Sequence, residues 1–475
     1  MSNKCCAPPH AGRYDLAVIG AGSAGFSAAI TAAGEGAQVA LIGHGTIGGT
    51  CVNVGCVPSK TMIRAAETLH GARVAQRFAG IVGEAHINDW TKVIADKDEL
   101  VRALRQKKYT DLLPDYNSVA YLEGAARLTH DGVAVNGSTI PVAKTIVATG
   151  SAPSLPQIPG IEDVPYLTST TALESTALPL SLLVMGGGYI GCELAQMFAR
   201  AGTKVTLVTR SHLLPDAEPE ITQALTDYFA NEGISVVTGL SYHRIERADE
   251  GVALTIEREG QLETLTAEHI LLTTGRRPNT DDLGLADMGI ETLGNGGIKV
   301  DDRMRTSRSG VYAAGDVTGR DQFVYMAAYG AKLAALNAMN GDSMVYDNSA
   351  MPWVVFTDPQ VAGVGLSEAQ ARHAGYEIKT SIVPLDQVPR ALAARDTRGL
   401  IKLVADDKTD VLLGAQILAP EGADSIQTMV LALKHGMTAK ELGETIFPYL
   451  TTVEGLKLAA QSFGKDVTKL SCCAG

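Results

Sequence analysis

Apolar positions along this chain come in short β-branched runs that end in glycine and lead into longer alanine- or leucine-rich stretches. YDLAVIGAGSAGFSAAITAA is the first such unit. Its pattern predicts a buried parallel strand over 14–19, a turn at Gly20, Gly22 and Gly25, and a helix whose N-terminus faces a pyrophosphate. SLLVMGGGYIGCELAQMFARAG repeats it, with a strand over 182–185 and Gly186, Gly188 and Gly191 in the same places. One such fingerprint is weak evidence, because glycine turns also serve ordinary packing; two in strand-turn-helix context predict two dinucleotide-binding folds. TIVATGSAP (145–153) and HILLTTGRRPNT (269–280) are apolar strands running into Thr-Gly turns, and TSRSGVYAAGDVT (306–318) reads as a strand and turn. From about residue 346 the pattern changes to alternating strands, IKLVA and VLLGAQIL, with an amphipathic helix near 424–436. The expected class is α/β, two Rossmann-like domains followed by an α+β domain.

Length and charge narrow the picture. A chain of 475 residues is too long for one core and suggests roughly three or four domains. Its formal net charge is -12, and no basic run offsets it, which argues against nucleic-acid and anionic-membrane partners. The first fourteen residues lack the apolar core of a secretion signal, and no apolar run reaches the roughly twenty residues of a membrane span. The expected location is the cytoplasm. Seven cysteines over this length argue for redox or metal chemistry rather than a disulfide framework. Cys192, inside a predicted helix, reads instead as a small buried apolar residue.

The cysteines that carry chemistry are Cys51 and Cys56 in GGTCVNVGCVPSK. One helical turn between them would let the two sulfurs cycle between disulfide and dithiol. Cys56 precedes Pro58, suited to a first helical turn, and Lys60 follows; a helix N-terminus and a nearby cation both favour the reactive thiolate. A structural disulfide or half of a zinc site is the bland alternative, but no Cys or His pair stands at a matching zinc spacing.

These motifs together resemble the flavoprotein disulfide reductases over nearly the whole chain. The resemblance implies FAD and NADPH as cofactors and a homodimer held by the C-terminal domain. It implies an FAD-binding domain at 13–150 and 275–345, an NADPH-binding domain at 151–274 and a dimerisation domain at 346–466, between a flexible arm (1–12) and a flexible tail (467–475). Cys56 would lie against the flavin in a charge-transfer complex while Cys51 exchanges with substrate, and Lys60 would pair with Glu193 beside the flavin. Gly20, Gly22, Gly25, Gly49, Thr50, Lys60, Thr149, Gly150, Arg277 and Asp316, the last on the ribityl chain, would bind cofactor, as would Gly186, Gly188 and Gly191. Arg210 follows the second nucleotide strand in VTLVTRSHLL, where an NAD site would carry an acid, and so favours a 2'-phosphate; its bland reading is an exposed arginine.

Departures from the family pattern sharpen the reading. Thiol-disulfide reductases close with a His-Pro-Thr motif and a downstream Glu, whereas IFPYLTTVEGLK has Tyr449 in the histidine's place and keeps Glu454. A phenol with a pKa near 10 is a poor acid/base at pH 7. A soft metal ion held by two thiolates needs no protonated thiol leaving group. Cys472 and Cys473, in the terminal SCCAG, suit the capture of such an ion. This combination resembles the mercury-reducing branch of the family and implies Hg(II) and its small-thiol complexes as substrate. Cys51, Cys56, Cys472 and Cys473 would then be metal ligands, and Tyr189 and Tyr449 would lie near the nicotinamide and metal sites, although Tyr189 also reads as packing at a helix start. The rivals are a thioredoxin- or glutathione-type disulfide reductase and a metal-sequestering flavoprotein. The second departure is Gly43, which stands where the acidic ribose ligand is usual. Cys5 and Cys6 read either as a remnant metal-capturing arm or as part of a tail, and the tail is the preferred reading.

Overall fold

The computed structural model describes residues 14–464, which divide into two compact units. The first runs through Ser59 and adds Lys92–Ser154 and Gly275–Asp347; the second comprises Lys60–Thr91, Leu155–Thr274 and the described residues from Asn348 onward.

The first unit is built on a five-stranded parallel sheet in the order Val311–Ala313, Lys144–Val147, Leu16–Ile19, Val39–Gly43, Val119–Glu123. All four residues of Leu16–Ile19 are buried, as expected of a central strand covered on both faces. The ladder begins at Leu16 rather than 14; just before it, the Asp15 carboxylate accepts from the Gln38 amide at 2.8 Å. Helix Ser23–Gly34 follows it, and an antiparallel trio, Ala126–Thr129, Gly132–Val135 and Ser138–Ile140, packs into the same core through Leu128 and Val133.

Within the second unit a parallel sheet runs Ser235–Val237, Lys204–Val208, Ser181–Met185, His269–Leu272, Tyr166–Thr168, again with a helix, Tyr189–Ala201, after the central strand. Three antiparallel strands between Leu240 and Ala267 close its core through Leu254 and Ile270. A separate five-stranded antiparallel sheet, from Pro352–Val355 to Leu412–Ala419, carries helix Gly422–Lys434 on one face. That helix stops short of 436, because Gly436 takes a left-handed conformation that lets the Met437 amide reach back to the Ala432 carbonyl. The α/β class and both Rossmann-like sheets thus follow the apolar pattern. Among the described residues no helix is long and apolar enough to cross a membrane.

Candidate active site

The first glycine turn and the cysteine segment are held together by backbone. Gly22 bridges Gly48, the Gly48 amide donates to the Ala21 carbonyl at 2.8 Å, and a Cβ on Gly49 would stand 2.7 Å from the Gly22 Cα. Only glycine permits that approach. Gly22 caps helix Ser23–Gly34 without a side-chain bond, so the first-turn amides remain available to an anion. These residues therefore fit a pyrophosphate.

Cys51 and Cys56 do not share one continuous helical turn. Cys51 lies in Gly49–Asn53, the helix is interrupted at Val54 and Gly55, and Cys56 opens the long helix Cys56–Arg73. The break puts Cys56 at a helix N-terminus, where partial positive charge favours thiolate, and leaves both cysteines partly exposed. Asn53 ties the short helix back to the Ile47 and Gly49 carbonyls and accepts from Arg105. Thr50, at the exposed side, stands one residue before Cys51.

Thr149 and Gly150 are fixed by Asn279. The Thr149 hydroxyl donates to the Asn279 carbonyl at 2.7 Å, and the Asn279 amide donates to Gly150 at 2.9 Å. Asp316 begins a short 3-10 turn after strand Val311–Ala313 and accepts from Ser151 at 2.6 Å. Ser151 also accepts from Arg276 at 2.8 Å, and this guanidinium is 3.9 Å from Asp316. Burial lowers the Arg276 pKa, while Asp316 and then Cys56 pull it upward, so this cation lies within electrostatic reach of the Cys56 sulfur. Arg277, the arginine singled out from the sequence, is exposed and pairs with Asp281. Both arginines sit on strand Arg276–Pro278, whose neighbours alternate between faces; only one of the two can enter the polar cluster, and that alternation was the signal for it. A second residue missed from sequence is Tyr109, 3.2 Å from the Ser23 hydroxyl. Burial raises its pKa, Ser23 lowers it, and Cys51 and Cys56 raise it further. Its setting in the polar run QKKYT gave no hint of this contact.

In the second unit Gly188 caps Tyr189–Ala201, again without a side-chain bond, and a Cβ on Gly191 would fall on the Gly186 carbonyl oxygen. This turn also fits a pyrophosphate. Arg210 is exposed just beyond strand Lys204–Val208, with no acid beside it in sequence. Glu193, 5% exposed, accepts from Lys60 Nζ at 2.8 Å through Oε2 and from the Phe356 amide at 2.9 Å through Oε1. The Lys60 ammonium lies 4.9 Å above the Phe356 ring. Tyr189 stacks on Trp353 with ring centroids 5.7 Å apart, so it packs a strand of the antiparallel sheet against the start of the helix.

Tyr449 is 52% exposed, in a loop where Leu450 adopts a left-handed conformation. Glu454, buried, accepts from the Leu450 amide at 3.1 Å and holds that loop. Cys192 is fully buried, its thiol pKa pushed far up by burial and then by Glu193, as suits an inert packing residue. Cys5, Cys6, Cys472 and Cys473 lie outside the described residues.

Residues 14–335 match the family described as pyridine nucleotide-disulphide oxidoreductase, and residues 351–460 match its dimerisation domain. The chain is 46% identical over 464 residues to a mercuric reductase of Lysinibacillus sphaericus, covering 97% of this chain and 85% of that one. It is equally 46% identical over 469 residues to a mercuric reductase of Streptomyces lividans, covering 97% and 98%. Among solved structures it resembles the HOCl-induced flavoprotein disulfide reductase RclA from Escherichia coli, with 30% identity, a TM-score of 0.83 and coverage of 94% and 99%.

Proposed function

The chain belongs to the pyridine nucleotide-disulphide oxidoreductase family, and on that premise we propose that it is an NADPH-dependent, FAD-containing oxidoreductase that reduces Hg(II) to Hg(0). The observation that carries the choice of substrate is Tyr449: a phenol occupies the half-exposed loop where a disulfide reductase needs an imidazole. Relatives that share 44 to 46% identity and bear the name mercuric reductase support the same choice.

Gly20, Gly22, Gly25, Gly49, Thr50, Thr149, Gly150 and Asp316, with Arg276, would hold FAD, and Gly186, Gly188, Gly191 and Arg210 would hold NADPH. Bound FAD would supply the two-electron relay between the nicotinamide and the cysteine pair. Reduction opens the Cys51–Cys56 disulfide to two thiolates, and the helix N-terminus at Cys56 and the Arg276 cation favour the ionised form. The thiolates displace the thiol ligands of incoming Hg(II), one sulfur at a time, and hold the ion as soft donors. The two electrons stored in the dithiolate then convert the ion to Hg(0) and re-form the Cys51–Cys56 disulfide, so that for each ion reduced one NADPH leaves as NADP+ and one proton is released. Glu193 fixes the Lys60 ammonium, and Glu454 fixes the loop that carries Tyr449. Cys472 and Cys473 would collect Hg(II) from bulky thiols, and the dimerisation domain (346–466) would join two chains, each with a flavin domain (13–150 and 275–345) and a nicotinamide domain (151–274).

NADPH oxidation by the purified protein, measured with Hg(II) and excess thiol and then with oxidised glutathione, lipoamide and oxidised thioredoxin, tests the reading. Turnover with Hg(II) alone is expected. Turnover with a disulfide and none with Hg(II) would overturn it.

A further inference from the structure

Gly43 ends the second strand of the first sheet at the position where nucleotide sites of this kind carry an acid for the ribose. The space above it is taken. A Cβ at 43 would stand 2.5 Å from the Tyr121 hydroxyl, 2.8 Å from Tyr121 Cε2 and 2.8 Å from the Ala21 Cβ. Tyr121 belongs to the neighbouring parallel strand Val119–Glu123, in register with Leu41, two residues before the Gly43–Glu123 pair. Side chains two apart on adjacent parallel strands share a face. The ring therefore leans toward the C-terminal edge of the sheet and sets its oxygen where a residue-43 side chain would begin. That edge is where open α/β sheets bind ligands, and Ala21 belongs to the glycine turn itself.

We propose that Tyr121 replaces the missing acid at position 43, its hydroxyl hydrogen-bonding the adenosine ribose of FAD. The assignment rests on the FAD reading above. Tyr121 is partly exposed, and its hydroxyl has no hydrogen-bond partner among the described residues, which leaves it available to a ligand. Burial, and then the Glu123 carboxylate, hold the phenol above its usual pKa, so it remains a neutral group that both donates and accepts. Glu123 is the rival anchor: it is exposed, is the last residue of the strand and pairs with Gly43 in register, and Asn136 engages its carbonyl, whereas it is the Tyr121 hydroxyl that stands where a residue-43 side chain would begin.

Removal of the flavin and titration of the apoprotein with FAD, followed by flavin fluorescence, provide the test. Tyr121→Phe, which conserves the ring, should bind FAD about five- to tenfold more weakly, the share of one hydrogen bond. Its apoprotein should unfold at the wild-type temperature, and Glu123→Gln should bind FAD as the wild type does. An FAD analogue whose adenosine lacks both ribose hydroxyls should bind wild type and Tyr121→Phe alike. Unchanged FAD affinity in Tyr121→Phe, a loss confined to Glu123→Gln, or a penalty that persists with the deoxygenated analogue would each overturn the assignment. A wild-type protein that takes up no FAD at all would instead remove the cofactor reading on which it rests.

Discussion

The glycines of the two turns match position for position, and the turns differ at the end of the strand that follows, where folds of this kind meet the ribose of a nucleotide. Gly20, Gly22 and Gly25 in the first correspond to Gly186, Gly188 and Gly191 in the second, and in both a Cβ on the third glycine would fall on the carbonyl of the first. The next position diverges. Phe26 fills it in one turn and Cys192 in the other, and Ser27, bonded to the Ala328 carbonyl, corresponds to Glu193, bonded to Lys60 and the Phe356 amide. At the end of the following strand Gly43, His44 and Gly45 correspond to Thr209, Arg210 and Ser211. Backbone geometry that fits a phosphate is the same in both turns, whereas the strand end, where folds of this kind meet the ribose, differs.

The largest effects should therefore come from the shared glycines. Gly191→Ala forces a backbone shift of a kind that costs about 1–3 kcal/mol in a packed site. Displacing the phosphate cradle should lower kcat/KM for NADPH by about two orders of magnitude. The variant should still purify with its flavin, since the first turn is untouched. Gly25→Ala should do the reverse and purify without flavin. Absorbance spectra and rapid-mixing reduction kinetics separate the two; a Gly191→Ala protein reduced by NADPH at the wild-type rate would break the comparison at its strongest point.

A step down in size is Arg210→Ala. Arg210 is exposed, so solvent weakens its contact with a 2'-phosphate, and a loss of about tenfold in kcat/KM for NADPH is expected with NADH unaffected. Steady-state rates with the two nucleotides check it, and an unchanged NADPH to NADH ratio would assign the preference elsewhere. Next comes the Ser27 and Glu193 position. Glu193→Gln keeps the shape but uncouples the carboxylate from Lys60, and should cost about 1–3 kcal/mol because the carboxylate is buried and bonded at both oxygens. Ser27→Ala should cost about 0.5–1.5 kcal/mol, one neutral hydrogen bond. Denaturant melts that reverse this order would mean that Lys60 is as well solvated without its partner as with it.

Both turns were legible in the sequence because a strand covered on both faces is written as an unbroken apolar run and a tight turn as glycine. The Lys60–Glu193 ion pair was legible too, through the family resemblance. What stayed hidden depends on which side chains tertiary packing brings together. Arg276 rather than Arg277 joins Asp316 because of strand alternation, and Tyr109 reaches Ser23 across 86 positions of sequence. The helical break at Val54 and Gly55 was hidden for a different reason: five residues are too few for periodicity to resolve one helix from two.

The smallest expected effect tests whether the two turns are variants of one packing solution. In the first turn the middle residue is Ala21 and the strand end is Gly43; in the second the middle residue is Gly187 and the strand end is Thr209. Each pair contains one side chain and one glycine, and the glycine faces the side chain: a Cβ on Gly43 would stand 2.8 Å from Ala21 Cβ, and one on Gly187 would stand 3.1 Å from Thr209 Cβ and Cγ2. The second turn should therefore accept the first turn's arrangement. Thr209→Gly alone opens space and loosens the strand end, and Gly187→Ala alone crowds Thr209, so each should destabilise by about 1 kcal/mol. In the double variant the new methyl fills the space the threonine left, and the entropic cost of the new glycine cancels in the cycle. The two changes should consequently couple favourably by about 0.5–1 kcal/mol in denaturant melts. Leu213 limits the relief, since its Cδ2 also lies 3.1 Å from the Gly187 Cβ position and remains in the double variant. Strict additivity would mean that Leu213, not Thr209, enforces glycine at 187, and that the volume exchange between the turns is a coincidence of sequence.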